Sequence, residues 1–315
     1  MIADQQRRPS RKHGTCTVVA VTEPFDDTDL FWRTTPLAEA LGHTLDRIEH
    51  NGRNGDRAVP TGVADLDRQT GGLAKSQVTV VAGSRGSGTT ALALQITMHV
   101  AAELELPVLY VATRDPVVSL TERLLGREAK VAVERVNTGR LRRNDWDAVG
   151  SAVQRLSEVP VFFHDHPVPS VDQLMLAATR LERDRPLGMV IIDRLPGLRG
   201  WRGGDGTGRR RVANALSLMA QSLDVPVVAL THLRRKAWLQ PLPPSSDDVR
   251  GRAAMEQFRR FILVSPKIDT LSGSCNPPTV RLDIEDPVHT TVPVHLVWDE
   301  TPVPLTPYRD PNRAS

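Results

Sequence analysis

The sequence predicts an α/β fold with a mostly parallel central sheet and helices on both faces. Three observations carry this. From about residue 58 onward, short and nearly continuous apolar runs alternate with amphipathic segments. Strands covered on both faces read this way, whereas half-exposed antiparallel strands alternate residue by residue. The stretch VVAGSRGSGTTALALQI, Val80 to Ile96, reads as a strand, a glycine-rich turn and the start of a helix. In LGMVIIDRL, Asp193 closes another apolar run.

Taken in order, residues 1–30 mix basic and acidic clusters and are expected to be flexible. A helix follows at about 36–50. Thr35 is its expected N-cap, Pro36 suits the first turn, and Leu37, Leu41, Leu45 and Ile48 form one apolar stripe. Asn51-Gly52 ends it, and GRNGDRA reads as a linker. The stripe is expected to pack on its own domain or on a neighbouring subunit. Residues 58–300 form the main domain. Its strands are expected at Val78–Ala82, Val108–Ala112, Val161–Phe163, Met189–Asp193, Val225–Leu230 and Phe261–Val264. Helices are expected at Thr90–Glu103, Val117–Leu125, Arg142–Leu156, Val171–Arg183, Arg210–Leu223 and Ala253–Arg259. TVRLDIED and TVPVHLVWDE alternate and read as an antiparallel pair at one edge. Residues 301–315 are a Pro-rich tail.

Composition narrows the function classes. At 315 residues, 40% apolar and 24% charged, the chain can build an ordinary globular core. No apolar run approaches the ~18 residues that span a bilayer, and the basic N-terminus has no apolar segment after it. Cys16 and Cys275, far apart, exclude a disulfide framework and suit a reducing cytosol. Only five of the 40 basic residues are lysine, but the net charge is just +3. An arginine bias spread over the whole chain does not locate a site.

The glycine-rich turn points to phosphate. Gly83, Gly86 and Gly88 let the chain turn tightly, so that N–H groups from Ser84 to Thr90 and the helix N-terminus can face an anion. Such a loop normally carries lysine at the position of Thr89. Thr90 sits where a hydroxyl reaches Mg²⁺, and Asp193 sits where a strand-end carboxylate orients that ion. ATP and Mg²⁺ are therefore the expected ligands, held weakly on Gly83, Ser84, Arg85, Gly86, Ser87, Gly88, Thr89, Thr90 and Asp193.

Further segments carry a family resemblance. PTGVADLDRQTGGL before the loop, LPVLYVAT, VNTGRLRRNDWDAV, LGMVIIDRL, DVPVVALTHLRR and SDDVRGRAAMEQ follow in one order. Together they resemble the RecA-like C-terminal domain of DnaB-type replicative helicases over about residues 37–299. The resemblance implies a P-loop ATPase fold and a leading helix that packs on the next subunit of a ring. It implies loops after the Asp193 strand that track single-stranded DNA. The family's N-terminal primase-contacting domain is expected to be absent.

Departures concentrate at the chemistry. Against the family pattern, Thr89 replaces the P-loop lysine, Arg114 the catalytic glutamate (with Asp115 beside it), and His232 a glutamine. The edge hairpin's K-x-R, which supplies an arginine finger, falls on Asp283 and Glu285. A lost charged contact costs about 1.5–3 kcal/mol of binding. A lost finger costs roughly 10³–10⁵ in turnover, and a lost water-orienting group about 10²–10⁴. Binding is expected to survive and efficient hydrolysis is not. Three readings stand: a degenerate module binding nucleotide, DNA or protein; an active ATPase using Arg85 or Arg114 in new roles; and a scaffold docking through Leu37–Ile48. For DNA, the candidates are Arg199, Arg202, Arg209, Arg210 and Arg211, with Arg194 nearby and Trp201 as a stacking partner.

Overall fold

The structure, a computed structural model, describes residues 36–38, 41–42, 44–45, 58–202, 206–234, 243–267, 279–286, 293–297 and 306–307. The chain divides into two units, Met1–Asp46 and Arg47–Ser315. In the first, the described residues from 37 to 45 are helical, and Leu37, Leu41 and Leu45 are 75%, 52% and 60% exposed. Those leucines are not packed into a core, and Ile48 lies outside the described residues.

The second unit is built on one sheet. Its strands are β3 (Val78–Gly83), β4 (Val108–Ala112), β5 (Val161–His164), β6 (Met189–Asp193), β7 (Val227–His232), β8 (Arg260–Lys267), β9 (Thr279–Glu285), β10 (Val294–Val297) and β11 (Thr306–Pro307). They lie in the order β11-β10-β9-β8-β3-β7-β6-β4-β5. From β8 to β5 every pairing is parallel. β9 and β10 add antiparallel at the edge, as the alternating segments predict, and β11, within the stretch read as a Pro-rich tail, adds one further antiparallel strand. A separate pair, β1 (Ala58–Val59) and β2 (Leu73–Ala74), flanks α1 (Ala64–Thr70).

Two cores follow from the two-residue period of β3. Val80 and Ala82 face one side with Leu174 and Ala178 of α6 (Val171–Glu182) and Leu216 and Met219 of α7 (Thr207–Ser222). Val81 faces the other with Leu92 and Ile96 of α2 (Thr89–Met98) and Leu120 and Leu124 of α3 (Val117–Ala129). Each fully buried Leu or Ile is worth about 1.5–3 kcal/mol. The helix α4 (Val133–Asn137) and the longer α5 (Arg143–Ser157) follow α3, and α2 runs on as a π-turn over His99–Glu103. α6 is fixed at its start by a capping box, with Gln173 N–H donating to Ser170 Oγ at 3.3 Å and Ser170 N–H to Gln173 Oε1 at 2.9 Å.

One expected helix is absent. Ala253–Arg259 forms a single 3₁₀ turn, Arg252–Ala254, followed by i→i+3 bonds from Met255 to Arg252 and Phe258 to Met255. The residues favour helix, but β8 begins at Arg260, and Met255 and Phe258 are buried in the core, so packing overrides propensity. β7 begins at Val227 rather than Val225, and α7 begins at Thr207, three residues before the expected Arg210. The short elements α1, α4, β1 and β2 are too brief to show a period.

Registry puts the polar residues together. Gly83 pairs with His232 across β3–β7, and Ala112 with Asp193 across β4–β6. The C-terminal ends of four neighbouring strands thus share one rim, where open α/β sheets hold their ligands.

A buried ion pair ties the lead-in segment to the sheet. Arg260 and Asp286 are paired at 2.6 Å, with side chains 10% and 6% exposed. Arg260 also donates to the carbonyls of Gly72 and Thr70 at 2.5 and 3.1 Å. Removing one buried partner strands the other charge, so Arg260→Met should cost about 3–5 kcal/mol by urea unfolding. A loss under about 1 kcal/mol would mean the pair is solvated.

Candidate functional site

The loop between β3 and α2 is held by its own atoms. The N–H and hydroxyl of Ser87 both donate to Ser84 O, at 3.3 and 2.9 Å. Gly86 and Gly88 have φ of 77° and 90°, which side chains rarely adopt. A Cβ on Gly83 would lie 2.9 Å from Val264 O and 2.7 Å from Thr89 Cγ2. Thr89, 3% exposed, therefore tucks its methyl beneath the loop. It contributes packing at this position and no charge.

Asp193 closes β6 and is 3% exposed. Tyr110 of β4, fully buried, donates its hydroxyl to Asp193 Oδ2 at 2.8 Å. Arg194 Nε stands 3.5 Å from Oδ1. Burial pushes the Asp193 carboxyl up, and the interactions with Tyr110, Arg194 and Thr90 pull it back toward the charged form. Burial and then the Asp193 charge push the Tyr110 hydroxyl well up, so it keeps the proton it donates.

Arg194 is the centre of the arrangement. Thr113 grips its main chain, accepting from Arg194 N–H at 2.8 Å and donating its hydroxyl to Arg194 O at 2.9 Å. The guanidinium reaches the His232 ring, whose Nδ1 lies 3.3 Å from Gly83 O. The tautomer that fits has Nδ1–H donating to Gly83 and Nε2 accepting from arginine. Arg114 comes to 3.5 Å of the same Nε2. Burial first, then the Arg194 charge, pushes the His232 imidazole down to about 4. It is neutral at physiological pH and links the strand rim to two guanidinium groups. Arg85 is exposed on the loop, and its charge is felt at His232. Asp115 pairs with Arg123 at 3.4 Å and Arg114 at 4.0 Å.

The sequence-derived site residues Gly83–Thr90, Arg114, Asp193 and His232 thus converge. Sequence reasoning placed Arg194 with the arginines of the DNA-facing segment rather than in this site, and it missed Tyr110. Each had a signal: an arginine directly after the strand-end aspartate, and a hydroxyl-bearing ring within the aliphatic run VLYVA. A divalent cation between Thr90 and Asp193 needs free oxygen lone pairs and no neighbouring cation. Here Tyr110 donates to one carboxylate oxygen, and the other faces the Arg194 guanidinium, a cation standing where the ion would be. As arranged, the donor set does not fit the ion.

In the arginine-rich segment after β6, several of the described residues are packed or bonded within the chain. Trp201 is 4% exposed within the core, which removes it as a stacking partner. Apolar packing took this indole because Leu198, Val212 and Phe258 belong to the same part of the core. Arg202 is exposed and bonds Pro196 O at 2.8 Å, and Arg209 is half-buried and bonds Trp201 O at 3.2 Å. Arg199, Arg210 and Arg211 are exposed, the last two on the first turn of α7. Residues 203–205, and 235–238 of HLRRKAW, lie outside the described residues.

At the edge hairpin both acidic residues are engaged within the chain. Asp283 receives Arg281 at 2.6–2.9 Å, and Glu285 Oε1 accepts from Ser246 N–H at 2.7 Å. No helix among the described residues is long and apolar enough to cross a membrane.

Comparison with known proteins places this geometry. The chain is 34% identical over 206 residues to the replicative DNA helicase DnaB of Nostoc sp., covering 63% of this chain and 23% of that protein. It is 31% identical over 229 residues to replicative DNA helicase DnaB of Geobacillus stearothermophilus, covering 70% and 50%. It therefore spans half or less of the length of these relatives. A solved DnaB-like replicative helicase, described with its interactions with primase, superposes with a TM-score of 0.72 at 21% identity, over 88% of this chain and 68% of that one. At that identity the likeness shows the fold, which is RecA-like. Residues 58–265 match the DnaB-like helicase C terminal domain, and the chain belongs to that family.

Proposed function

We propose that this chain is a DnaB-like, RecA-fold module that binds a nucleoside triphosphate at Gly83–Thr90 with little or no hydrolysis and serves DNA replication or repair through contacts to DNA or protein. The observation that carries this reading is the fate of the catalytic positions. Thr89 is folded under the loop, Arg114 offers no carboxylate, and Asp283 and Glu285 are held by partners within the chain. The phosphate-facing elements are kept by contrast: two glycines at positive φ and the α2 N-terminus. The exposed leucines of the leading helix suit packing on a second copy in a ring, as the family resemblance implies.

DNA binding would rest on charge rather than stacking, because Trp201 is buried while Arg199, Arg202, Arg210 and Arg211 are exposed.

Calorimetric titration with ATP should give weak binding. Phosphate release should run at least about 10³-fold below an intact DnaB relative measured alongside, the least expected from a missing finger. Comparable turnover that disappears in Asp193→Ala would establish the active-enzyme reading instead. For DNA, anisotropy with a fluorescent oligothymidylate should show salt-sensitive binding. Arg210→Ala/Arg211→Ala should flatten the log–log salt slope by about 1–1.5, two phosphate contacts at ~0.7 each. An unchanged slope would exclude these two side chains.

The His232 imidazole adds a pH signature. Its ordinary value is 6.5 and its folded value about 4. Between these, the unfolded chain binds the extra proton, so stability falls as pH drops from about 6.5 toward 4. His232→Gln should lessen the fall in urea midpoint between about pH 7 and about pH 4.5. An identical fall would show that the ring titrates normally.

A further inference from the structure

We propose that Arg194 stands in for both the divalent cation and the absent lysine, so that this site holds a nucleotide's polyphosphate through arginine and loop amides without a metal ion. This rests on the nucleotide-binding reading and deepens it.

Charge and position carry the inference. The Arg194 side chain is 13% exposed, which is unusual for a guanidinium unless it is paired. Its pairing is incomplete. Nε stands 3.5 Å from Asp193 Oδ1, a long contact rather than a two-pronged fork, and the other contact goes to a neutral imidazole. A second guanidinium, Arg114, reaches the same imidazole at 3.5 Å. Two arginine side chains thus meet at one neutral ring. Three guanidinium groups, Arg194, Arg114 and Arg123, share two carboxylates: Asp193, already bonded by Tyr110, and Asp115, which lies 3.4 Å from Arg123 and 4.0 Å from Arg114. Such a cluster has an unmet demand for negative charge.

The ligand class follows from what the cluster borders. His232 bonds Gly83 O, the first residue of the phosphate loop, so the guanidinium groups sit at the strand rim beside amides suited to an anion. Arginine is matched to phosphate oxygens by its fork of donors. The Asp193 carboxylate that would orient a metal is taken by the tyrosine hydroxyl on one oxygen and faced by the guanidinium on the other. Mg²⁺ would have to displace a guanidinium, and bound Mg²⁺ would then face it.

The test uses the full chain, fluorescent ATP analogue binding, and competition by ATP and inorganic tripolyphosphate in Mg²⁺ or in EDTA. The expected affinity in EDTA equals that in Mg²⁺ within about threefold, and tripolyphosphate competes without metal. Arg194→Ala should weaken metal-free binding by about ten- to a hundredfold, the worth of one charged contact. It should also make binding Mg²⁺-dependent, because Asp193 Oδ1 is vacated; a merely structural role would not produce that switch. Binding in Mg²⁺ but not in EDTA by the unaltered chain overturns the proposal and leaves the nucleotide reading standing. No binding in either condition removes the nucleotide reading itself. If Arg194→Ala does not fold, the metal comparison on the unaltered chain decides alone. If it folds and binds as before, Arg194 is not the cation.

Discussion

A carboxylate at the end of a buried strand sets the terms for everything around it. Asp193 lies where β6 meets the rim, shielded from water, and must be hydrogen-bonded or neutralised there. Two side chains answer that demand: Tyr110 from β4 and Arg194 from the next position in the chain. The registry that aligns β4 with β6 brings the tyrosine. Arg194 then recruits His232 from β7, and His232 returns to Gly83. One buried charge thus organises the rim around the nucleotide loop.

The fold around this network rests on other groups: apolar runs, glycines at positive φ, and the Thr61–Asp67 clasp. In that clasp Asp67 accepts from the N–H and hydroxyl of Thr61 at 2.8 and 2.7 Å. Thr89 packs beneath the loop, and Asp283 and Glu285 of the edge hairpin are taken up in ordinary intrachain bonds.

The sheet was legible in the sequence because its strands are uninterrupted apolar runs, and Gly83–Thr90 and Asp193 because their spacing has one common physical meaning. Arg194 was not legible in its role. Among so many nearby arginines it read as part of a basic surface, and only the end of β6 turns it inward. Trp201 misled for the opposite reason, since neighbouring glycines suggested exposure while tertiary packing buried it. The missing helix at Ala253–Arg259 shows propensity yielding to the start of β8. The short α1 and α4 carry too few residues for periodicity to register.

The most direct measurement is a crystal structure grown with ATP and Mn²⁺, whose anomalous scattering marks the ion. The expected map shows Arg194 against phosphate oxygens and no anomalous peak between Thr90 and Asp193. A manganese peak at that position, with the guanidinium swung away, would contradict the assignment of the cation's role to Arg194.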